Sequence, residues 1–137
     1  MALTFDFPIG DLDATASVLI HDFDGTPNLV LDRNLSFSIH AQWSVTGPKT
    51  TMLGGDWYVR ALAESMGPGT EYDLGSVNHG VVPVDGFTYV SHVPVAGNTM
   101  DAGVYKLVIV ITHTNIYGVL TEAAGFAEGP LFQVREP

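Results

Sequence analysis

The alternation of apolar and polar residues is the dominant pattern of this chain, and it is clearest between residues 35 and 45. There the odd positions are apolar and the even positions polar: Leu35, Phe37, Ile39, Ala41, Trp43 and Val45 alternate with Ser36, Ser38, His40, Gln42 and Ser44. A period of two is typical of a β-strand that buries one of its faces. The sequence therefore predicts a strand here, with His40 on the outer face.

Comparable runs predict further strands along the chain, at 3–7, 16–20, 57–63, 72–74, 81–84, 87–95 and 104–114. The last strand region spans 118–135 and is expected to be broken by a bulge near 125–130. Fifteen glycines and eight prolines separate the runs, and these residues favour turns. A helix-like stretch at 60–66 continues a strand pattern, so we expect a strand end there.

The number and spacing of these strands indicate the fold class. About seven to nine short strands with frequent turns predict an all-β fold, an antiparallel two-sheet sandwich. A jelly roll is the alternative arrangement. A chain of 137 residues fits one domain, so we predict a single sandwich domain over residues 1–137.

The segment 101–111 joins a turn to a long apolar strand. It begins Asp101-Ala-Gly103-Val-Tyr105, and this Asp-x-Gly-x-Tyr turn resembles the start of strand F in immunoglobulin-like domains. The resemblance implies that Tyr105 is the corner tyrosine of such a sandwich. It also implies that Leu107 occupies the position of that strand's disulfide cysteine.

Two other positions extend the resemblance. Trp57 is similar to the core tryptophan of strand C, and Ile39 or Ala41 would take the partner position on strand B. The chain has no cysteine, which departs from antibody-type domains and suits a fibronectin-like or bacterial variant. The resemblance implies a fold and no particular function.

Acidic residues outnumber basic ones by 15 to 5, which gives a net charge of −10 at neutral pH. Phosphate contacts need clustered Lys and Arg, so nucleic acid is not expected as a partner. Anionic membrane surfaces are disfavoured for the same reason. No apolar run approaches the ~20 residues of a membrane span, so no membrane insertion is predicted.

The absence of cysteine also bears on location. It excludes disulfides and thiolate chemistry, and small secreted domains often carry disulfides. The first residues, Met1 to Pro8, show neither the basic region nor the apolar region of a signal peptide. These features predict a cytoplasmic protein or a component of an intracellular assembly.

One segment, residues 18–26, is similar to the first motif of haloacid-dehalogenase-type phosphatases. That resemblance implies Asp22 as nucleophile and Asp24 as general acid. The motif belongs to a parallel sheet with crossover helices, whereas here Pro27 follows at once and the next residues look extended. The chain has only two lysines, neither in that family's context. We therefore predict an Asp-Gly turn and no enzymatic activity.

Two weak metal sites are conceivable. Asp22 and Asp24 belong to a group of six acidic residues within the first 32, and clustered loop carboxylates can bind Ca²⁺. Parity places His40 and His92 on outer faces, and the immunoglobulin-like resemblance implies that their strands are neighbours in one sheet. The two rings would then be close enough to bind a metal or sense pH. His21 is expected in a loop. Without a third ligand the histidines are interpreted as polar surface residues, and no cofactor is predicted.

The outer face of strand 104–114 is the strongest candidate for an interface. Its residues are Val104, Lys106, Val108, Val110 and Thr112, although a free sandwich usually shows polar residues on such a face. Either another chain segment or a second subunit covers Val108 and Val110, since apolar patches often mark interaction sites. Plain β-propensity of valine is the alternative explanation.

Three functions follow from these patterns. The favoured one is a non-enzymatic structural or protein-interaction module that binds a protein partner or copies of itself through this face or an edge strand. The alternative is a carbohydrate-binding or small-molecule-binding module, with candidate aromatics Trp57, Tyr58, Tyr72, Tyr89 and Tyr117; burial of Trp57 and Tyr89 is expected and would disfavour it. The least favoured is a hydrolase that uses Asp22 and Asp24.

Overall fold

The computed structural model describes residues 4–6, 13–47, 50 and 53–136. Within these residues there is no α-helix, and nine strands account for the regular structure. The strands are β1 (Thr4–Asp6), β2 (Asp13–His21), β3 (Val30–Asp32), β4 (Phe37–Thr46), β5 (Asp56–Ser65), β6 (Tyr72–Gly80), β7 (Thr88–Val95), β8 (Gly103–Thr114) and β9 (Leu120–Arg135). The predicted all-β fold class is confirmed.

The strands form two sheets that face each other as a sandwich. The larger sheet has the order β1-β9-β8-β5-β6, and all of these neighbours are antiparallel. The smaller sheet has the order β2-β4-β7 and is also antiparallel. The short strand β3 pairs with β9 in parallel. Strands that are distant in sequence therefore lie side by side in both sheets.

Alternation in the sequence becomes alternation of burial in the structure. In β4 every second side chain, from Phe37 to Val45, is buried in the core. At the centre, the rings of Trp43 and Tyr89 stack with centroids 4.3 Å apart, and Trp57 meets Trp43 edge-on at 5.2 Å. Trp43 comes from the smaller sheet and Trp57 from the larger, so this aromatic cluster joins the two sheets.

Tyr105 closes the turn that precedes β8. Its ring is buried, and its hydroxyl donates a 2.7 Å hydrogen bond to the backbone carbonyl of Asp101. A hydrogen bond to the backbone a few residues upstream is the contact that a corner tyrosine makes. Leu107, Ile39 and Ala41 are all almost fully buried, as the sequence pattern predicts for core positions.

Two predicted strands differ from the structure. Residues 72–80 form one continuous strand, longer than the predicted 72–74. The predicted strand at 81–84 is wrong, because the backbone there makes turns: the Val84 N–H donates to the Val82 carbonyl at 2.7 Å. Pro83 has no N–H to donate to a neighbouring strand. This loop therefore does not form a β-strand, although its residues are mostly apolar.

The long strand β9 has different partners on its two edges. On one edge it pairs with β8, and the register shifts between Lys106 and Val108, opposite residues 129–130. The predicted bulge is confirmed there, and Pro130 fits it because proline donates no ladder hydrogen bond. On the other edge β1 pairs with 124–126 and β3 with 133–135. Among the described residues, 127–132 have no strand partner on that edge.

Candidate functional site

Val108 and Val110 lie in the middle of the outer face of the larger sheet, as their alternation predicts. Val108 is directly opposite Leu62 of β5, and Val110 is directly opposite Phe126 of β9. Because side chains opposite each other in a ladder are in contact range, these four residues form an apolar strip across three strands.

Further apolar side chains of the same outer face extend this strip. We call the whole set the apolar face: Tyr58, Leu62, Val104, Val108, Val110, Phe126 and Leu131. Phe126 and Leu131 are 51% and 52% exposed, so no described segment of the chain lies over this face. An intramolecular cover for Val108 and Val110, one of the two expectations from the sequence, is therefore absent from the described part of the chain.

Two ion pairs lie among the residues of the apolar face, since Arg60 is directly opposite Val110 and Glu128 is directly opposite Val108. Lys106 Nζ lies 2.7 Å from Glu128 Oε2, and Arg60 Nη2 lies 2.7 Å from Asp73 Oδ2. The hydrogen bonds from Arg60 hold the pKa of Asp73 below its ordinary value. Each cation neutralises the acid beside it, so these four groups add little net charge to the face.

Three histidines stack on the outer face of the smaller sheet. His40 and His92 are direct partners in the ladder between β4 and β7, and their ring centroids are 4.0 Å apart. His21 of β2 stacks on the other side of His40, at 3.7 Å. The predicted proximity of His40 and His92 is confirmed. The loop predicted at His21 is wrong, because β2 extends to that residue. We call the three rings the histidine stack.

Among the side chains that the structure describes, those around the histidine stack carry no formal charge at neutral pH. The described outward side chains of this sheet are Thr15, Ser17, Leu19, His21, Ser38, His40, Gln42, Ser44, Thr46, Thr88, Val90, His92 and Pro94. Burial lowers the pKa of His40, and so does the positive charge that His92 and His21 take up on protonation. The Ser38 hydroxyl oxygen lies 2.8 Å from His40 Nε2. The central ring therefore resists protonation.

The geometry of the histidine stack does not suit a metal ion. Neighbouring ring planes are 14° and 26° from parallel, and the lone pairs of an imidazole lie in its ring plane. Lone pairs in stacked planes do not converge on one ion at the ~2.0–2.1 Å that zinc requires. Among the residues that the structure describes, no group of three or more His, Asp or Glu is placed to hold a metal.

Asp22 and Asp24 lie in the turn after β2, and both carboxylates make hydrogen bonds within that turn. Asp24 Oδ1 accepts from the hydroxyl and the backbone N–H of Thr26, at 2.6 and 3.0 Å, and these bonds lower the pKa of Asp24. Asp22 accepts from the Phe23 N–H at 2.7 Å and from Asn28 Nδ2 at 3.2 Å. The preceding strand β2 is antiparallel to its neighbour, unlike the parallel strand that the phosphatase motif implies.

The candidate aromatic residues do not form one site. Trp57 and Tyr89 are buried in the core, as predicted. Tyr58 belongs to the apolar face, and its hydroxyl is 2.8 Å from Ser76 Oγ. Tyr72 accepts a hydrogen bond from the Asp101 N–H, whereas Tyr117 lies at the far end of β8. Carbohydrate binding by a shared aromatic platform is therefore not supported by their placement.

The turn between β8 and β9 is an exposed apolar feature that the sequence patterns above did not single out. We call residues 116–120 the hairpin tip. Four large apolar side chains project from it: Ile116 is 71% exposed, Tyr117 82%, Val119 59% and Leu120 66%. The available signal was an apolar sequence around Gly118 where a polar turn is usual.

A cleft opens between the edge of β2 and the middle of β9. Its volume is about 820 Å³, and most of its surface is apolar. Val18 and Ile20 contribute from β2, Pro27 and Leu29 from the following turn, and Pro130 from the bulge of β9. We call this the edge cleft. It exists because β1 and β3 leave the middle of β9 unpaired.

No protein-family model matches the sequence, and no curated protein sequence matches it. Within the described residues, no helix has the length and the apolar composition needed to cross a bilayer. The functional argument therefore depends on the surfaces described above.

Proposed function

We propose that this protein is a non-enzymatic interaction module with an immunoglobulin-like sandwich, and that it self-associates through the apolar face. The strand orders support the immunoglobulin-like fold. In that fold strands A, B and E share one sheet and C, F and G share the other, which matches β2-β4-β7 and β5-β8-β9. The hydrogen bond from Tyr105 to Asp101 gives further support.

The observation that carries the proposal is the exposure of Phe126 and Leu131 beside the half-buried Val108 and Val110. Exposed apolar patches on soluble proteins mark interaction sites when they are contiguous. Here Leu62 and Val108 are neighbours across β5 and β8, and Val110 and Phe126 are neighbours across β8 and β9. Glu128 and Arg60 complete these two rows, and both charges are held in ion pairs. Burial of this strip against a second surface would remove several large apolar side chains from water, which favours association.

The size of the larger sheet is compatible with a dimer. Strands lie ~4.8 Å apart and rise ~3.4 Å per residue, so β6, β5, β8 and β9 over ten residues form a face of roughly 650 Å². A standard interface buries about 800 Å² of accessible surface on each partner. A rough sheet face has more accessible surface than its flat projection, so the outer face of these four strands, which includes the apolar face on β5, β8 and β9, reaches the necessary size.

Charge favours a second copy as the partner. Each chain carries a net charge of −10, so two copies repel each other through most approaches. Lys106 and Arg60 neutralise Glu128 and Asp73 on this face, whereas Glu64, opposite Lys106, belongs to neither ion pair. The two ion pairs lower the electrostatic cost of bringing two copies together here. A strongly basic partner would instead be attracted to the acidic surface outside the apolar face. The intracellular location and the independence of cofactors stay predictions from the sequence.

The experiment is a measurement of native mass by sedimentation over micromolar to millimolar concentration. We expect the wild type to form a dimer or larger species through the apolar face. The Phe126→Lys variant should shift that equilibrium towards the monomer by at least tenfold in dissociation constant. Because Phe126 is half-exposed, the variant should fold, which thermal unfolding checks.

Val90→Lys is the matched control. Val90 is 50% exposed on the outer face of the other sheet, so the variant introduces the same charge at the same exposure. We expect it to leave the mass distribution of the wild type unchanged. A wild type that remains monomeric at millimolar concentration, or a Phe126→Lys variant that associates like the wild type, would refute the proposal.

A further inference from the structure

We propose that the hairpin tip of one copy inserts into the edge cleft of a second copy. This contact joins two different surfaces of the same chain, so it links molecules head to tail. It is separate from the contact through the apolar face and does not depend on it. The inference rests on the shape and chemistry of the two surfaces and on the order of the hairpin tip.

The hairpin tip has a fixed conformation before any contact is made. Asn115 Oδ1 accepts hydrogen bonds from the N–H groups of Tyr117 and Val119, at 2.9 and 3.1 Å. The Asn115 N–H donates to the Val119 carbonyl, and the Gly118 N–H donates to the Asn115 carbonyl, both at 2.9 Å. A segment that is ordered in advance loses little conformational entropy on binding.

The base of the hairpin is tied to the rest of the molecule by a buried histidine. His113 Nε2 donates a 2.6 Å hydrogen bond to the Gly54 carbonyl, and His113 Nδ1 lies 2.8 Å from Thr121 Oγ1. Ile116 also packs beside Gly54, where even a Cβ atom would be 2.8 Å from Ile116 Cγ2. The hairpin tip is thus a rigid projection, and its Tyr117 is of the residue type enriched at interface hot spots.

The edge cleft offers the complementary surface. Its volume of about 820 Å³ lies within the roughly 300–1,000 Å³ of sites that bury a compact group. Val18, Ile20 and Leu29 give it apolar walls. The backbone of residues 127–132, which has no strand partner on this side, and the edge of β2 border it. The Ile20 carbonyl at the end of that edge already accepts from the Asn28 N–H, so polar backbone groups of an inserted turn can find partners along the remaining edge.

Charge is compatible with a second copy as the occupant. The hairpin tip contains no charged residue. The one charged residue of the edge cleft is Glu128, which is paired with Lys106 at 2.7 Å. Two molecules with a net charge of −10 each can therefore join here without bringing unpaired acids together. Neither surface has an unpaired charged side chain with which a charged partner could form an ion pair.

Complementation between two variants tests the head-to-tail contact. Both are made in the Phe126→Lys background, so that association through the apolar face does not contribute. Tyr117→Asp disables the hairpin tip, and Leu29→Asp disables the edge cleft; the two side chains are 82% and 47% exposed, so both variants should fold. We expect each variant alone to sediment as a monomer. Mixed in equal amounts, they should form a heterodimer, because one retains the cleft and the other the tip.

Met66→Asp in the same background is the control, since Met66 is 56% exposed and lies in the turn after β5, at the end of that strand far from the tip. It should still form the chain-like species of the parent. The inference is wrong if the Phe126→Lys parent is monomeric at millimolar concentration, if either variant alone still associates, or if the mixture stays monomeric. Failure of the apolar-face proposal gives a different result, namely no effect of Phe126→Lys on the wild-type mass.

Discussion

His40 and His92 face each other directly across β4 and β7, with their ring centroids 4.0 Å apart. The ring of His21 covers the opposite side of His40. Protonation of the central ring therefore places a positive charge between two other groups that can also become positive. The neighbouring rings also exclude water that a charged imidazole needs. The smaller sheet thus contains a cluster whose stability depends on proton concentration.

This cluster predicts a loss of stability in mild acid. The pKa of His40 is lowered from 6.5 in the folded state, so below pH 6.5 the unfolded chain binds more protons and the free energy of unfolding falls as the pH falls. Chemical denaturation between pH 7 and pH 5 should show this slope, and His40→Gln should flatten it. The titratable groups that face His40 from neighbouring strands are His21 of β2 and His92 of β7.

His79→Gln serves as the control for this prediction, because His79 lies on β6, outside the histidine stack. It should keep the wild-type slope. Carboxylates titrate mostly below pH ~5, so they affect all variants alike in this window. Equal slopes for the wild type and for His40→Gln would show that the stack does not govern the pH dependence.

Tyr105→Phe should lower the free energy of unfolding by about 1 kcal/mol, because it removes one part-buried hydrogen bond. The bond lost is the one from the Tyr105 hydroxyl to the Asp101 carbonyl. Urea denaturation measures the difference. Tyr58→Phe is the control, since the Tyr58 hydroxyl bonds Ser76 on the exposed surface and its loss should cost less than ~0.5 kcal/mol. Equal costs for the two variants would show that the hydrogen bond from Tyr105 to Asp101 does not contribute to stability.

Ser91→Ala should raise stability by about 1 kcal/mol, because burial of a hydroxyl without a hydrogen bond is unfavourable. Ser91 is 1% exposed, and its hydroxyl has no hydrogen-bond partner among the described residues. Ser17→Ala, on the exposed face of β2, should change the free energy of unfolding by less than ~0.5 kcal/mol. A loss of stability in Ser91→Ala would mean that the hydroxyl is satisfied in solution.

Gly55→Ala should destabilise the fold by about 3 kcal/mol, since it combines left-handed strain with a steric overlap. Gly55 has φ = +89°, and an added Cβ would overlap the Thr114 carbonyl oxygen. Gly25→Ala separates the two effects, because Gly25 has φ = +84° and nothing within 4 Å of an added Cβ. That variant should lose only about 1–2 kcal/mol from strain. Thermal or urea unfolding of both variants checks the difference.

Millimolar Ca²⁺ should leave the melting temperature unchanged, since ligands stabilise a protein only when they bind its native state. The carboxylates of Asp22 and Asp24 already accept hydrogen bonds from the turn residues Phe23, Thr26 and Asn28. Calorimetric titration gives a second measurement. Heat of binding together with a raised melting temperature would assign the turn after β2 a metal-binding role.

The residue pattern predicted much of the fold because burial in a strand repeats every second residue. The same parity placed His40 and His92 on one outer face, and their ladder positions make them neighbours. His21 was missed because its stacking depends on how far β2 extends and on its register with β4. Neither is encoded in the local alternation.

The hairpin tip and the edge cleft could not be predicted from the sequence, because both depend on tertiary structure. Ile116 and Tyr117 fall between the predicted strands 104–114 and 118–135, and the alternation does not show that this apolar turn is exposed. The edge cleft depends on β1 and β3 both pairing with β9, and these contacts join segments more than a hundred residues apart. Local propensity carries no information on such pairings.

The parallel pairing of β3 with β9 has a consequence for how the chain folds as it is made. Val30 pairs with Gln133, and Asp32 pairs with Arg135. Strand β3 therefore cannot form its ladder until β9, one of the last segments, has been synthesised. Contacts of such long sequence separation slow folding, because the loop must close before the contact forms. Until β9 emerges from the ribosome, β1, β3 and β8 each lack a neighbour, and their exposed edges are open to chaperones or to other nascent chains.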